Sequence, residues 1–278
     1  MQVGLLTAPF RNEPMDAVVR FAAEAGFDAL EIDVRPGCKH LCVDHDDAAA
    51  ADAIVQVREA GLQVSSLAAY VDISSADEQT RDANRATLAR AVAMAGANGI
   101  GVVCCMAGMP AGGLSREDTI AQIAGPFFRE FCPRAADQGV KLAMENWFAT
   151  NIMNLAHWEL IFDTVPASNF GLNYDPSHLM WQGIDYLHAV EVFKDRIFHC
   201  HAKDTEVLAH KLRWLGNQAG RGWWRYCIPG YGDIDWGVLI ARLRDNGYNG
   251  VLSIEHEDRA LGREEGLVKG LHYLRIFA

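Results

Sequence analysis

Residues 25–28 read Ala-Gly-Phe-Asp, and related junctions recur at residues 60–63, 95–98, 138–141 and 246–249. Each has a glycine between a predicted helix and a short apolar run. Glycine commonly follows the last residue of a helix, because it adopts the left-handed backbone conformation without a steric cost. Each junction therefore predicts a helix that ends just before a strand begins, and their recurrence predicts repeated strand–helix units.

The strand-then-helix pattern occurs eight times along the chain. The predicted strands are residues 3–8, 29–34, 63–70, 99–106, 140–147, 170–175, 197–203 and 251–257. The predicted helices are residues 14–25, 47–60, 77–95, 116–138, 155–164, 186–195, 236–246 and 263–277. Eight such units, with no linker between them, predict an α/β protein with a single (β/α)8 TIM barrel domain over residues 1–278. A doubly wound sheet is the alternative, but no Gly-x-Gly-x-x-Gly follows the first strand.

The chain is acidic, since 25 Lys and Arg against 36 Asp and Glu give a net charge of −11. We therefore expect it to bind neither nucleic acid nor an anionic membrane surface. No apolar run approaches the roughly 20 residues that span a bilayer, and residues 1–9 lack the features of a secretory signal. The seven cysteines are odd in number and form no Cys-x-x-Cys, which predicts reduced thiols in a cytoplasmic protein.

Residues 197–204, the predicted seventh strand and the residue after it, read Ile-Phe-His-Cys-His-Ala-Lys-Asp. Because side chains alternate along a strand, His199, His201 and Lys203 share one face. Polar groups on a buried face are costly unless they are paired or line a site. A lone histidine there would be interpreted as a hydrogen-bonded core residue. Three other strand ends carry matching ligands, and this favours a site.

Glu145, Asp175, His201 and Glu255 lie at the predicted carboxyl ends of strands five to eight. The active sites of TIM barrels are built at this end. Any one of these carboxylates could pair with a Lys or Arg, but four such groups together would repel or shift their pKa values without a cation. Oxygen-rich ligand sets with one imidazole suit hard divalent ions. We predict a site for one divalent cation, with Mn²⁺ first and Mg²⁺, Co²⁺ or Zn²⁺ as alternatives.

Five motifs along the chain resemble those of a known group of proteins. They are Met-Glu-Asn (144–146), Asn-Tyr-Asp-Pro-Ser-His (173–178), His-Ala-Lys-Asp (201–204), Pro-Gly-Tyr-Gly-Asp-Ile-Asp-Trp (229–236) and Ile-Glu-His-Glu (254–257). Together they resemble the xylose isomerase-like TIM-barrel superfamily. The resemblance is greatest to its sugar phosphate isomerase/epimerase family, which includes D-tagatose 3-epimerase and inosose dehydratase. It extends over essentially the whole chain and implies a small-molecule sugar or polyol substrate.

The resemblance also implies roles for particular residues. Glu145, Asp175, His201 and Glu255 would hold one divalent cation, and Glu145 and Glu255 would act as the catalytic acid/base pair. The cation would polarise the carbonyl of a keto sugar, one glutamate would remove the neighbouring proton, and a cis-enediolate would be reprotonated by the other. His178 matches a histidine that contacts substrate oxygens, and its alternative role is to cap a helix.

Three more residues are candidates for substrate binding. Lys203 could hold a substrate oxygen or neutralise an enolate, and an ion pair with Asp204 or Asp233 is an equally weighted alternative. Trp147 shares the face of Glu145 and is predicted to form a pocket wall. Arg259 could bind an anionic group or pair with the acidic surface. No phosphate-type glycine-rich helix start follows the last two strands, so we expect a neutral sugar or glycoside.

One position departs from the family pattern. Ketose 3-epimerases carry an arginine about six residues after the metal histidine, where this sequence has Val207. The alternative is therefore a metal-dependent lyase or dehydratase that acts on a keto-inositol or a 3-keto glycoside. A phosphodiesterase of the endonuclease IV kind ranks lower, because it would use several metals and more histidines. A non-catalytic binding barrel ranks last, because it leaves the ionisable strand ends unexplained.

Residues 205–232 are predicted to be a long irregular stretch and carry Trp214, Trp223, Trp224 and Tyr226. Loops of this length are often lids or binding loops, and aromatic faces can stack on sugar rings. Subunit interfaces are enriched in the same residues. Both interpretations stay open, and the second predicts a homo-oligomer.

Overall fold

Eight strands pair in parallel and close into a barrel in the computed structural model, which describes residues 1–278. They are β1 (Gln2–Leu6), β2 (Ala29–Asp33), β3 (Gln63–Ala69), β4 (Val102–Met106), β5 (Lys141–Glu145), β6 (Phe170–Tyr174), β7 (Ile197–Ala202) and β10 (Val251–Ile254). Each strand pairs with its neighbours in chain order, and β10 closes the barrel against β1. The structure confirms the predicted TIM barrel.

Eleven α-helices connect or follow the barrel strands, and the longer ones pack on the outer surface of the barrel. The helices are α1 (Met15–Ala25), α2 (Asp47–Glu59), α3 (Glu78–Ala97), α4 (Arg116–Thr119), α5 (Gly125–Ala136), α6 (Leu155–Thr164), α7 (Ser177–Met180), α8 (Tyr186–Val192), α9 (Ala209–Leu215), α10 (Trp236–Asp245) and α11 (Arg263–Leu274). One contiguous cluster of 65 buried hydrophobic residues joins strands and helices, so the chain has one principal core. No helix is long and apolar enough to cross a membrane. All seven cysteines are buried and unpaired.

The glycine junctions hold at four of the five predicted positions. Gly26 and Gly61, for example, have φ values of +89° and +79° and follow helices, as predicted. The prediction for Gly96 was wrong, because α3 continues to Ala97 and Gly99 takes the left-handed conformation with φ +66°. A Cβ atom on Gly96 would lie 2.9 Å from Cβ of Gln138. This glycine therefore permits close packing of α3 against the turn that follows α5, and it does not end α3.

Two other predicted elements are built differently. The helix predicted over residues 116–138 contains a π-helical segment, Ile120–Ala124, between α4 and α5. The predicted irregular stretch contains an antiparallel ribbon of β8 (Asp204–Val207) and β9 (Trp224–Cys227). Buried Asp204 anchors the ribbon, because its carboxylate accepts hydrogen bonds from the backbone of Gly230 and Ile234. Since β8 follows β7 almost directly, the ribbon begins at the carboxyl end of the barrel.

Candidate active site

Four predicted site residues meet at the carboxyl end of the barrel. Glu145 ends β5, Asp175 follows β6, His201 lies in β7, and Glu255 follows β10. Their ligand atoms all lie within 4.8 Å of one another. His201 Nδ1 is 3.2 Å from Glu255 Oε2, 3.5 Å from Glu145 Oε1 and 3.9 Å from Asp175 Oδ2. We call these four residues the mouth cluster.

Two atoms of the mouth cluster are buried and have no hydrogen-bond partner. They are His201 Nδ1 and Asp175 Oδ2. Buried polar atoms are normally hydrogen-bonded, so a nitrogen and an oxygen that lie 3.9 Å apart without any hydrogen bond require an explanation. A divalent cation would supply it, because three carboxylates and one imidazole form a donor set that hard and borderline cations accept. The residues present therefore fit one divalent cation.

His201 is held from its other side by a carboxylate. Its Nε2 lies 3.1 Å from Oε2 of Glu31, which is fully buried on β2. Burial alone would raise the pKa of Glu31, but His201 and His199 outweigh it and lower that pKa to about 2. Burial disfavours a charged His201, yet Glu31 and Glu255 outweigh it and hold the imidazole pKa well above its usual value. Glu31 is thus an anion that fixes the ring.

Lys203 is buried among the carboxylates of the mouth. Its ammonium lies 3.1 Å from Asp175 Oδ2 and 3.2 Å from Glu257 Oε2, and it donates a hydrogen bond to Glu255 Oε2. Burial opposes its charge, but Asp175 and Glu255 outweigh burial and hold the lysine pKa well above its usual value. Lys203 does not form the ion pair with Asp204 that the sequence left open.

Each glutamate of the mouth cluster presents one oxygen to it and keeps the other free. Glu145 Oε1 and Glu255 Oε2 face His201, whereas Glu145 Oε2 and Glu255 Oε1 have no protein partner and are not sealed from solvent. The two side chains are 9% and 16% exposed, whereas Asp175 and His201 are fully buried. Burial opposes ionisation of Glu145, but the neighbouring His178, His201 and Lys203 lower its pKa well below the usual value. A free, ionised oxygen can accept a proton from a bound molecule.

His178 lies beside Glu145 in the short helix α7. Its Nε2 is 3.3 Å from Glu145 Oε1 and 3.2 Å from Lys203 Nζ, and its Nδ1 is 2.6 Å from the hydroxyl of Tyr226. The ring is 1% exposed, so it is fixed between the mouth cluster and the ribbon. Its predicted contact with substrate oxygens is compatible with this place and stays a prediction.

Aromatic side chains form a wall beside His178. Phe148 lies 5.9 Å from the His178 ring, and Trp181 stacks on Trp224 with centroids 4.5 Å apart. Trp224 and Tyr226 come from the ribbon, so part of the predicted binding loop faces the site. We call Phe148, Trp181, Trp224 and Tyr226 the aromatic wall.

Three residues named from the sequence lie outside this wall. The half-buried Trp147 ring packs 5.9 Å from Phe148 and does not contact His178. Arg259 is exposed and pairs with no carboxylate. Trp214 is 89% exposed on α9 and faces away from the core. Substrate contacts of Trp147 and Arg259 stay predictions, as does the homo-oligomer.

Two residues that hold His201, Glu31 and Tyr70, were not predicted from the sequence. Tyr70 donates to Glu31 Oε1 at 2.5 Å and lies 3.0 Å from His201 Nε2. Glu31 could have been found, because Ala-Leu-Glu-Ile-Asp places a carboxylate inside an apolar strand, where it needs a partner. Tyr70 ends an apolar run and gave no comparable signal.

A second set of metal-binding residue types lies deeper in the barrel. Glu31, Cys104 and His199 bring their ligand atoms within 4.8 Å of one another. Here both nitrogens of His199 are paired, with Asn173 Oδ1 at 3.0 Å and Ser65 Oγ at 3.1 Å. We call Glu31, Cys104 and His199 the inner cluster.

The family model described as xylose isomerase-like TIM barrel matches residues 19–277. The chain belongs to the xylose isomerase-like TIM barrel family. The fold and family predicted from the five motifs are thereby confirmed. Because this family is defined by its barrel, membership does not by itself name a substrate.

The proteins that are similar to this chain have been given different activities or none. The uncharacterized protein YfiH of Bacillus subtilis is 25% identical over 326 aligned positions, covering 99% of this chain and 98% of YfiH. Inosose dehydratase of Clostridium perfringens is 29% identical over 150 positions, covering 51% of this chain and 49% of the dehydratase. This chain thus matches about half the length of the dehydratase. The 3-keto-D-glucoside 4-epimerase YcjR of E. coli has a TM-score of 0.74 at 19% identity, with 99% of each chain covered, which shows the shared fold.

Proposed function

We propose that this protein is a divalent-metal-dependent isomerase or epimerase of a keto sugar, with Glu145 and Glu255 as its proton-transfer groups. The observation that carries the proposal is the arrangement of these two glutamates. Each presents one oxygen to the unpaired atoms of His201 and Asp175 and keeps a second oxygen free. A carboxylate placed in this way can help to hold a cation and still accept or donate a proton.

The mouth cluster would hold the cation through Glu145, Asp175, His201 and Glu255. When bound, the cation supplies Lewis-acid polarisation of a carbonyl, which acidifies the adjacent C–H group. We propose Mn²⁺, because the donor set is rich in carboxylates and contains a single imidazole. Mg²⁺, Co²⁺ and Zn²⁺ are the alternatives that the same donor set accepts.

The proton transfers use the free carboxylate oxygens. One glutamate takes the proton from the carbon next to the carbonyl, and the C–H electron pair forms the double bond of a cis-enediolate. The other glutamate donates a proton to the opposite face of that carbon, which inverts it. Reprotonation at the former carbonyl carbon, with transfer of the neighbouring hydroxyl proton to the former carbonyl oxygen, would instead give the isomer. Each event returns one proton, so no oxidant or reductant is needed.

Lys203 and His178 would stabilise the negative charge that develops on the substrate oxygens. Both are nearly fully buried, and Lys203 Nζ lies 3.2 Å from His178 Nε2. Buried donors that are held in place stabilise such charge without reorganisation. Tyr226 positions His178 through its 2.6 Å hydrogen bond to Nδ1.

The charges at the mouth favour a neutral substrate. The ammonium of Lys203 lies within 4.0 Å of four carboxylates, those of Glu145, Asp175, Glu255 and Glu257. With a doubly charged cation bound and one glutamate protonated as the reaction requires, the three remaining carboxylates balance the ion and Lys203. The mouth then has no excess of positive charge that would attract a phosphate or carboxylate on the substrate. We therefore propose a neutral sugar, polyol or glycoside.

A lyase is the second candidate function. It is favoured by the inosose dehydratase relatives and by Val207, which replaces the arginine expected of ketose epimerases. In that reaction the enolate would expel a leaving group from the next carbon instead of being reprotonated. Lys203 is placed to stabilise the same enolate, so the two reactions differ only in the fate of this intermediate.

Proton NMR in D₂O separates these functions. The protein is incubated with Mn²⁺ or Mg²⁺ and a panel of ketoses, keto-inositols and 3-keto glycosides, and the metal is removed before spectra are recorded. Deuterium next to the carbonyl of an intact sugar is the expected result. Loss of water or of an aglycone would replace the epimerase with the lyase. A protein that binds no divalent cation and exchanges no proton would refute both, and an EDTA-treated sample is the control.

A further inference from the structure

We infer that Glu31 is a positioning residue that fixes the tautomer of His201, so that its Nδ1 faces the cation site and its Nε2 carries the proton. The inference rests on the proposed metal function and assigns a role to a residue outside the mouth cluster. Glu31 lies on β2, and His201 lies on β7, 170 positions later in the chain. Only closure of the barrel brings the two together.

The surroundings of His201 Nε2 decide where the ring proton lies. Glu31 Oε2, at 3.1 Å, also accepts a hydrogen bond from Ser253 Oγ, and Oε1 accepts one from Tyr70, so both oxygens of this carboxylate act as acceptors. The Tyr70 hydroxyl lies 3.0 Å from the same nitrogen but donates its proton to Glu31 Oε1. Both neighbours therefore require Nε2 to be the donor, so a ring that binds a cation does so through the lone pair of Nδ1.

Glu31 is itself held in one orientation. Its Oε1 accepts from Tyr70 at 2.5 Å, and its Oε2 accepts from Ser253 Oγ at 2.7 Å in addition to His201. Tyr70 in turn accepts from Asn173 Nδ2 at 2.8 Å. With its oxygens occupied by donors from three other strands or their ends, the carboxylate cannot turn away. The network therefore transmits a fixed geometry to the His201 ring.

The opposite nitrogen of the His201 ring, Nδ1, faces the mouth cluster. His201 Nδ1 is buried, has no hydrogen-bond partner and points at oxygens of Glu255, Glu145 and Asp175. A histidine that binds a metal through one nitrogen usually donates its other N–H to a carboxylate or carbonyl. That second hydrogen bond orients the ring and increases its basicity. Loss of such partners commonly costs about 10- to 100-fold in metal affinity.

The first experiment needs no substitution. Nitrogen-15 shifts of histidine-labelled wild-type protein are recorded with Zn²⁺, which is diamagnetic, and His201 is assigned through the signal lost in His201→Gln. We expect Nδ1 to bind the metal and Nε2 to be protonated and coupled to its hydrogen. Metal bound at Nε2 of His201 would overturn the inference, whatever the behaviour of any other variant.

The second experiment measures Mn²⁺ affinity in Glu31→Gln by electron paramagnetic resonance, alongside thermal unfolding. We expect the Kd to rise about 10- to 100-fold. Asp204→Asn is the matched control, because Asp204 is also buried but bonds the ribbon backbone and Trp236. The control should lose thermal stability and keep its Mn²⁺ Kd within twofold.

The results of the two experiments separate the inference from the proposed function. Wild-type protein that binds neither Zn²⁺ nor Mn²⁺ would refute the proposed metal function. Wild-type protein that binds the metal while Glu31→Gln keeps its Kd within twofold would refute only the role of Glu31. If Glu31→Gln does not fold, the nitrogen shifts of the wild-type protein still decide.

Discussion

The mouth cluster and the inner cluster each bring together residues that could bind a metal ion, yet they differ in how their polar atoms are hydrogen-bonded. In the mouth cluster, His201 Nδ1 and Asp175 Oδ2 have no hydrogen-bond partner, and two glutamate oxygens are free. In the inner cluster, both oxygens of Glu31 and both nitrogens of His199 are hydrogen-bonded to protein. Proximity of ligand atoms is therefore common to both, and nitrogen or oxygen ligand atoms without a hydrogen bond occur only at the mouth.

Protonation separates the two clusters further. Burial lowers the pKa of His199 to about 4, even though Glu31 opposes the shift, so this ring is neutral and already shared between two partners. Burial raises the pKa of the Cys104 thiol well above its usual value, and a protonated thiol is a poor metal ligand. The inner cluster thus has a structural role beneath the mouth cluster. The mouth cluster, in contrast, has ligand atoms that are free to bind a cation and a substrate.

The largest effect is expected at the two glutamates of the mouth. Glu145→Gln and Glu255→Gln each remove a group that transfers a proton, and general acid–base catalysis contributes about 10²- to 10⁴-fold. We expect kcat to fall by at least 10²-fold in each variant while the protein stays folded. Deuterium incorporation measured by NMR checks the rate, and circular dichroism checks the fold.

Glu257→Gln is the matched control for these variants. Glu257 also lies near Lys203, at 3.2 Å, but does not belong to the mouth cluster. It should retain far more proton exchange than either mouth variant. Rates near those of the wild type in Glu145→Gln or Glu255→Gln would contradict the acid/base assignment.

A smaller effect distinguishes the clusters by metal binding. A cation at 100 times its Kd stabilises a folded protein by about 2.7 kcal/mol, which raises Tm by several degrees in a domain of this size. Asp175→Asn should remove most of this Mn²⁺-dependent shift. His199→Gln should lower the starting Tm, because it disrupts two buried hydrogen bonds at a cost of about 1–3 kcal/mol, and should keep the shift.

Scanning calorimetry with Mn²⁺ and with EDTA makes this comparison directly. The two variants would exchange roles if the inner cluster were the metal site. Retention of the Mn²⁺ shift in Asp175→Asn together with its loss in His199→Gln would therefore invert our assignment of the two clusters.

The barrel could be predicted because its signals are local. Apolar runs and helix-ending glycines repeat along the chain, and each strand pairs with a neighbour in sequence. The ribbon was missed because β8 and β9 are separated by 16 residues, 208–223, that include exposed loops and α9. Pairing over such a distance leaves no periodic pattern that distinguishes it from a loop.

The mouth cluster could be located because all four residues lie at or near the carboxyl ends of barrel strands, and the motifs around them resemble a known family. Its supports could not, because their contacts span the barrel. The Tyr70 hydroxyl meets His201 across 131 positions, and Tyr226 meets His178 from the ribbon across 48. Such contacts are set by closure of the sheet and by the ribbon, and neither leaves a local signature.

The smallest predicted effect concerns the protonation of buried histidines. The contrast between the two clusters assumes that a buried histidine with both nitrogens hydrogen-bonded stays neutral. His40 is such a ring and belongs to neither cluster. Its Nε2 is 2.9 Å from Thr7 Oγ1, and its Nδ1 is 3.3 Å from the carbonyl of Phe10. Burial lowers the pKa of His40 below the usual 6.5, although Asp33 opposes the shift.

The sign of the pH dependence follows from this lowered pKa. As the pH falls through 6.5, the unfolded chain takes up a proton at His40 before the folded protein does, so folding stability declines. His40→Gln lacks this group. As the pH falls, the difference between its free energy of unfolding and that of the wild type should therefore become smaller, by no more than about 1.4 kcal/mol per pH unit. Denaturant unfolding of both proteins with EDTA between pH 8 and 5 measures the gap. A gap that stays constant over this range would mean that burial and paired nitrogens do not keep a histidine neutral in this protein, and the distinction between inner and mouth clusters would then depend on geometry alone.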